Sequence, residues 1–236
     1  MKKILLTIAA VIGLTTMVYA DSEMYLFDSA GNYVAFDSAG SILSSSGASG
    51  TVTPSLGNLS FNGTIGNWTV NVTTAQDSDG LLDLGNLDLN STNGTGNGST
   101  TLTLEFSQNG IGTAFPGWKG VINGNMILGG GVGTVDYSAY QANSNTLLDT
   151  TGTQIGDTGL LTDLGSGFTG TFAGSVPGVT TPYSLTQIIA LNPNQAKFDW
   201  SGDAKLSPVP EPGSLMLLGS GLLGFAGFAR KKFSNS

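Results

Sequence analysis

Apolar and polar residues alternate singly in several stretches of the chain, and between the two ends no stretch sustains a helical period. Across residues 67–74, Trp68, Val70 and Val72 fall on one side, and Thr69, Asn71 and Thr73 on the other. Across 101–107, Leu102, Leu104 and Phe106 oppose Thr101, Thr103, Glu105 and Ser107. Near 197–201, Phe198 and Trp200 oppose Lys197, Asp199 and Ser201. A period of two describes a strand with one face buried and the other in water. Further strands are predicted at 25–28, 33–37, 59–65, 119–128, 134–140, 168–176 and 184–191. Short strands set apart by Gly, Asn, Ser and Thr predict an all-β chain, an antiparallel β-sandwich of jelly-roll type. The three tryptophans and most phenylalanines fall on the apolar faces, where a core is built.

The linear order predicts some organisation. Phe27-Asp28-Ser29-Ala30-Gly31 returns as Phe36-Asp37-Ser38-Ala39-Gly40. The echo predicts two short strands, each followed by a turn, forming a hairpin strapped to the main sheet. Residues 38–55 are rich in Ser, Gly, Ala and Thr and read as a linker. The expected division is therefore 21–55 as short strands and linker, and 56–205 as the sandwich. Residues 206–212 form a spacer.

The two ends differ from everything between them. Lys2 and Lys3 precede an apolar stretch that closes on Val18-Tyr19-Ala20. This is the pattern of a signal helix over 1–20, cut by signal peptidase between Ala20 and Asp21. At the other end an apolar run, 213–229, stops at Arg230, Lys231 and Lys232. As a helix it reaches about 25 Å, a short span for a hydrocarbon core of about 30 Å. It is predicted as a transmembrane helix, transiently anchored in the inner membrane. The basic residues of 230–236 are held in the cytoplasm. All the acids lie between these ends, against only Lys119, Lys197 and Lys205. So acidic a body repels phosphate backbones, which excludes nucleic acid as a partner. The chain has no cysteine and no histidine. Disulfides, His-dependent nucleophile triads and His/Cys zinc sites are excluded with them.

Val209, Pro210, Glu211 and Pro212, followed by the apolar run and the basic stop, resemble the PEP-CTERM sorting signal of Gram-negative bacteria. The resemblance covers the tail alone. It implies recognition by an exosortase-type processing enzyme, removal of the tail, and delivery to the cell surface or the extracellular polysaccharide matrix. Some ice-binding surface proteins carry the same tail. The two prolines independently favour an extended, accessible segment, as a processing enzyme requires.

Candidate chemistry in the body is sparse. Asp77 and Asp79 flank a serine before Gly80, and Asp83 follows. Clustered oxygens at this spacing suit calcium, although Asp/Gly turns form without an ion. No other cofactor is expected. A carboxylate pair for glycoside hydrolysis is chemically possible; Glu23 and Glu105 are the body's only glutamates, and Glu105, alternating with Leu104 and Phe106, is expected to face water. Trp118, after a Pro-Gly turn, is the aromatic to examine as an exposed platform, with core as the preferred reading. Thr69, Thr73, Thr101 and Thr103 would form an ice-matching face if they shared one. The function expected is that of an exported, non-enzymatic surface or matrix protein, associated with exopolysaccharide or biofilm adhesion. An ice-binding surface protein and a secreted carbohydrate-active enzyme are the alternatives.

Overall fold

The computed structural model describes residues 21–55, 58–76, 82–91, 100–128, 133–162, 167–193, 198–209 and 220. The predicted signal helix falls outside them, as does the predicted transmembrane helix apart from Ser220. Among the described residues no helix is long and apolar enough to cross a membrane.

Two antiparallel sheets carry the fold. In the first, the spatial order is β12 (Thr153–Asp157), β11 (Thr134–Ala142), β15 (Tyr183–Asn192), β9 (Leu102–Ile111), β1 (Ser22–Asp28), β2 (Tyr33–Asp37) and β3 (Ile42–Ser46), with β13 (Leu161–Thr162) also on β11. In the second it is β14 (Phe168–Gly174), β10 (Trp118–Leu128), β16 (Phe198–Pro208), β8 (Leu82–Ser91), β6 (Trp68–Thr73), β5 (Asn58–Ile65) and β4 (Ala48–Ser55), with β7 (Ala75–Gln76) on β8. Consecutive strands β8, β9, β10 and β11 alternate between the sheets. The all-β sandwich read from the alternation is borne out, and each strand predicted from it is present.

The sheets close on one apolar core. Met24 and Leu26 of β1, Leu102, Leu104 and Phe106 of β9, and Val70 and Val72 of β6 are buried within it. Aromatic rings bridge the two layers. Phe36 stacks on Phe61 with centroids 5.8 Å apart, and Tyr137 lies 5.2 Å from Phe172. Each buried phenylalanine of this kind contributes roughly 2 kcal/mol. Gly120 makes room for one of them, since a Cβ there would stand 2.2 Å from the Phe172 ring.

Polar groups interrupt the core beneath the first sheet. Alternation places Gln141 and Gln187 on the inward faces of β11 and β15, where both are buried. Tyr137 donates its hydroxyl to Gln187 Oε1, and Trp118 Nε1 donates to Gln141 Oε1 at 3.1 Å. Trp118 is thus a core residue that reaches a polar partner through its indole, not an exposed platform.

The repeated pentapeptide is a repeated turn. Asp28 Oδ1 accepts from the amides of Ala30 and Asn32, both at 2.9 Å. Asp37 Oδ1 accepts in the same way from Ala39 and Ser41. Gly31 and Gly40 follow at φ of 90° and 79°, a conformation that favours glycine. The first copy joins β1 to β2 and the second joins β2 to β3, both antiparallel pairs. These Asp-anchored turns are how five residues encode a hairpin.

Residues 38–55 correct the linker expectation. They form β3 on the edge of the first sheet and β4 on the edge of the second, with Gly47 at φ 61° between them. Edge strands exposed on both faces need few apolar residues. Every residue of β3 is exposed, so its composition is indistinguishable from that of a linker. The expected spacer is shorter too. β16 continues to Pro208, paired with Trp118 of β10, and the Val209 amide donates to the Gly117 carbonyl at 2.9 Å.

Candidate functional site

The outward face of the first sheet is built by residues opposite the core positions. In β1, Met24 and Leu26 point inward, so Glu23, Tyr25 and Phe27 point outward, each partly exposed. Antiparallel pairing carries them into cross-strand rows. Tyr25 pairs with Ala35 on one side and Glu105 on the other, and Glu105 in turn with Ile188. Phe27 pairs with Tyr33 and with Thr103. Glu23 pairs with Asp37 and with Ser107. The rows run on through β15 to Asp136, Ser138 and Tyr140 of β11, and Ser138 pairs with Asp157 of β12.

Three rings form a platform on this face. Tyr25 stacks on Phe27 with centroids 4.8 Å apart, and Tyr33 meets Tyr25 edge-on at 5.8 Å. Ala35 is buried on the same outward side, in the row of Tyr25. Past Glu105 its row continues with Ile188 and Ser138, and the neighbouring row carries Thr103 and Ala190. The far side carries Asp136, Asp157 and Tyr140.

The electrostatics are one-sided. Burial pushes the Glu105 carboxyl above the ordinary range. Burial and then the neighbouring Asp37 raise Glu23. Burial and then Asp157 raise Asp136, against a backbone hydrogen bond from Tyr137 that lowers it. The Tyr25 hydroxyl is raised by burial, then by Tyr33 and Glu105. The described lysines, Lys119 and Lys205, lie on β10 and β16 of the other sheet. Among the described residues of the first sheet there is no Lys or Arg. The arrangement can stack rings on a flat, weakly polar surface and receive hydrogen-bond donors or cations beside it.

The residues singled out from sequence are placed as follows. Glu23 and Glu105 share this face, and Glu105 is outward as expected, though half-buried. Thr69 and Thr73 lie on β6 of the second sheet, whereas Thr103 lies on β9 of the first. The four threonines therefore do not form a single face. Asp77 and Asp79 lie outside the described residues. Asp83 lies in β8, opposite Lys205, and among the described residues no group of three or more acids is placed to hold a metal ion. Asp21 precedes β1 and hydrogen-bonds Asn109, while Ala20 lies outside. Val209 is described, but Pro210, Glu211, Pro212 and the basic stop Arg230, Lys231 and Lys232 are not. The platform of Tyr25, Phe27 and Tyr33 was not found from sequence. Its signal is the unbroken apolar run Met24-Tyr25-Leu26-Phe27, too long for a strand with only one face covered.

No curated protein matches the chain in sequence. Nine chains of solved structures are similar to it, among them the following two. TmCBM61, in complex with β-1,4-galactotriose, is 10% identical with a TM-score of 0.35, covering 60% of this chain and 88% of that one. The enzymatically active domain of tailspike protein 4 of bacteriophage CBA120 is 13% identical with a TM-score of 0.29, covering 61% of this chain and 19% of that one. The tail is matched more specifically. Beginning where β16 ends, residues 208–231 match the PEP-CTERM protein-sorting motif, and the chain thus ends in the signal of an exported protein sorted toward the cell surface.

Proposed function

We propose that this is a non-enzymatic surface or matrix protein that holds exopolysaccharide on the outward face of its first sheet. The single observation behind this reading is the aromatic platform of Tyr25, Phe27 and Tyr33, partly exposed beside half-buried carboxylates. Aromatic side chains normally serve the core. Three in contact on an outward sheet face favour a flat ligand, and sugar rings present flat C–H surfaces. The sorting motif supports the setting. An exosortase-type enzyme would act on Glu211 and its neighbours after export and signal-peptide removal. β16 ends at Pro208 and the Val209 amide bonds the Gly117 carbonyl, so cleavage beyond Val209 leaves the paired strands of the sandwich whole. Changing Glu211 to Ala should keep the intact chain in the inner-membrane fraction, read by fractionation and mass. Unchanged release of a shortened chain would count against processing at this motif.

A second reading, a glycoside-cleaving enzyme, is favoured by one observation. Glu23 pairs with Ser107 and Tyr25 with Glu105, which makes the two glutamates diagonal neighbours, both raised by burial. Diagonal neighbours lie about 7–8 Å apart, somewhat less between Cβ atoms, within reach of the carboxyl separations used by glycosidases. Accumulation of reducing ends from a bound polysaccharide, abolished by Glu105→Gln, would establish this reading over simple binding.

A further inference from the structure

We propose that the outward face of the first sheet is selective for a polysaccharide bearing free amino groups. Tyr25, Phe27 and Tyr33 stack on its sugars, and Glu23, Asp37, Glu105, Asp136 and Asp157 receive its ammonium groups. This deepens the reading of the face as a glycan site and rests on it.

Charge complementarity favours such a partner. Each flank of the face carries a like-charged couple, Glu23 with Asp37 and Asp136 with Asp157. Glu105 stands between them, in the row of Tyr25. Among the described residues of this sheet no lysine or arginine answers these groups. A neutral polysaccharide would leave each couple as it stands. An anionic one would add a third like charge to it. An ammonium group relieves the repulsion and replaces the water that burial has removed. The rings contribute in the same sense, because a cation over an aromatic face is attracted to it. Asp136 gives a further sign, as its Oδ1 is buried without a hydrogen-bond donor.

The dimensions are compatible. From β1 to β11 is three strand steps, about 14 Å at roughly 4.8 Å each, the length of a few sugar rings. Such a chain would lie across the strands with one end on the aromatic platform. The middle of the face is uncharged, with Ile188 between Glu105 and Ser138 and the smaller Thr103 and Ala190 in the neighbouring row, and the Asp136–Asp157 couple closes the far end.

The test is a titration of the full chain in mild detergent with three probes: a glucosamine hexamer, the fully N-acetylated hexamer and an oligogalacturonate. The glucosamine hexamer should bind at least tenfold more tightly than the N-acetylated one at low salt. That preference should shrink on raising salt and fall severalfold in Glu105→Gln. Glu105→Gln keeps the shape and removes a half-buried charge, so the fold is retained. Asp136→Asn provides an independent second variant on the other flank. Equal affinity for the first two probes, or a preference for the acidic one, overturns the amine selectivity and leaves the glycan-binding reading standing. No binding to any of the three overturns both.

Discussion

The outward face of the first sheet and the β4–β5–β6 part of the second sheet's outward face are made by the same alternation and have different chemistry. On the second sheet, the rows crossing β4, β5 and β6 contain Ser49, Thr64 and Thr69, then Thr51, Asn62 and Asn71, then Thr53, Ser60 and Thr73. All are neutral, and most are exposed. Such a face needs no partner, because short hydroxyls and amides are satisfied by water. The first sheet instead shows water three contacting rings and carboxylates whose charge is disfavoured by burial. That combination lowers solubility and stability with no return inside the isolated fold. A surface with a cost and no structural role is the more informative of the two.

The largest effect should come from removing a ring. Tyr25→Ala takes away the member that touches both others, and a central aromatic at an interface commonly carries about 2 kcal/mol or more. Polysaccharide affinity should therefore fall by roughly 30-fold. Thermal stability should move by only about 2 °C, because Tyr25 is partly exposed. The matched change on the other face, Thr69→Ala, should leave both quantities unaltered. Titration and thermal melts on the two variants check this. Equal losses from the two substitutions would erase the distinction between the faces.

A change inside the sandwich should reverse the pattern. Tyr137→Phe removes the hydroxyl donor to the buried Gln187 and leaves that amide oxygen unpaired. The expected loss is about 1–3 kcal/mol, a fall in Tm of roughly 3–8 °C. Binding measured well below the new Tm should be unchanged, since Tyr137 points into the core. Parallel melts and titrations decide whether the face depends on its own residues or on the layer beneath it.

The sequence was most legible where one face is buried and the other is water-facing. β6, with Trp68, Val70 and Val72 against Thr69, Asn71 and Thr73, shows its strand, its orientation and its core contribution directly. The Phe-Asp-Ser-Ala-Gly echo was legible as turns because Asp and Gly each do a local job. β3 was not legible, because a strand exposed on both faces obeys no apolar period. The platform was hidden for the opposite reason. Met24-Tyr25-Leu26-Phe27 is apolar on both faces, and periodicity does not say which pair is inside. Trp118 drew attention through its Pro-Gly turn, but a tryptophan with a buried glutamine partner belongs to the core. Gln141 and Gln187 lie inside because the pairing of β11 with β15 turns those positions toward the core.

The smallest effect is also the most direct measure of what the acidic face costs. A carboxyl whose folded value is raised by burial binds its proton more tightly in the folded state than in the unfolded one. Its favourable contribution is then fully present below the ordinary glutamate value of about 4.3 and is lost as pH rises through the raised folded value. Glu105 is in this class, with burial as the cause. The wild-type chain should therefore lose stability over that window relative to Glu105→Gln, which has no proton to release. Near pH 7 the variant should melt about 1–2 °C higher, and the gap should close on acidification below the ordinary value. Asp149 provides the opposite sign, since hydrogen bonds from Ser144 and Thr151 lower it and its contribution disappears toward acid. Taking the difference between variant and wild type at each pH cancels that background. A gap of constant size across the window would mean that Glu105 is as well solvated as any surface acid. The first sheet would then present rings without an electrostatic cost, and amine selectivity would lose its physical basis.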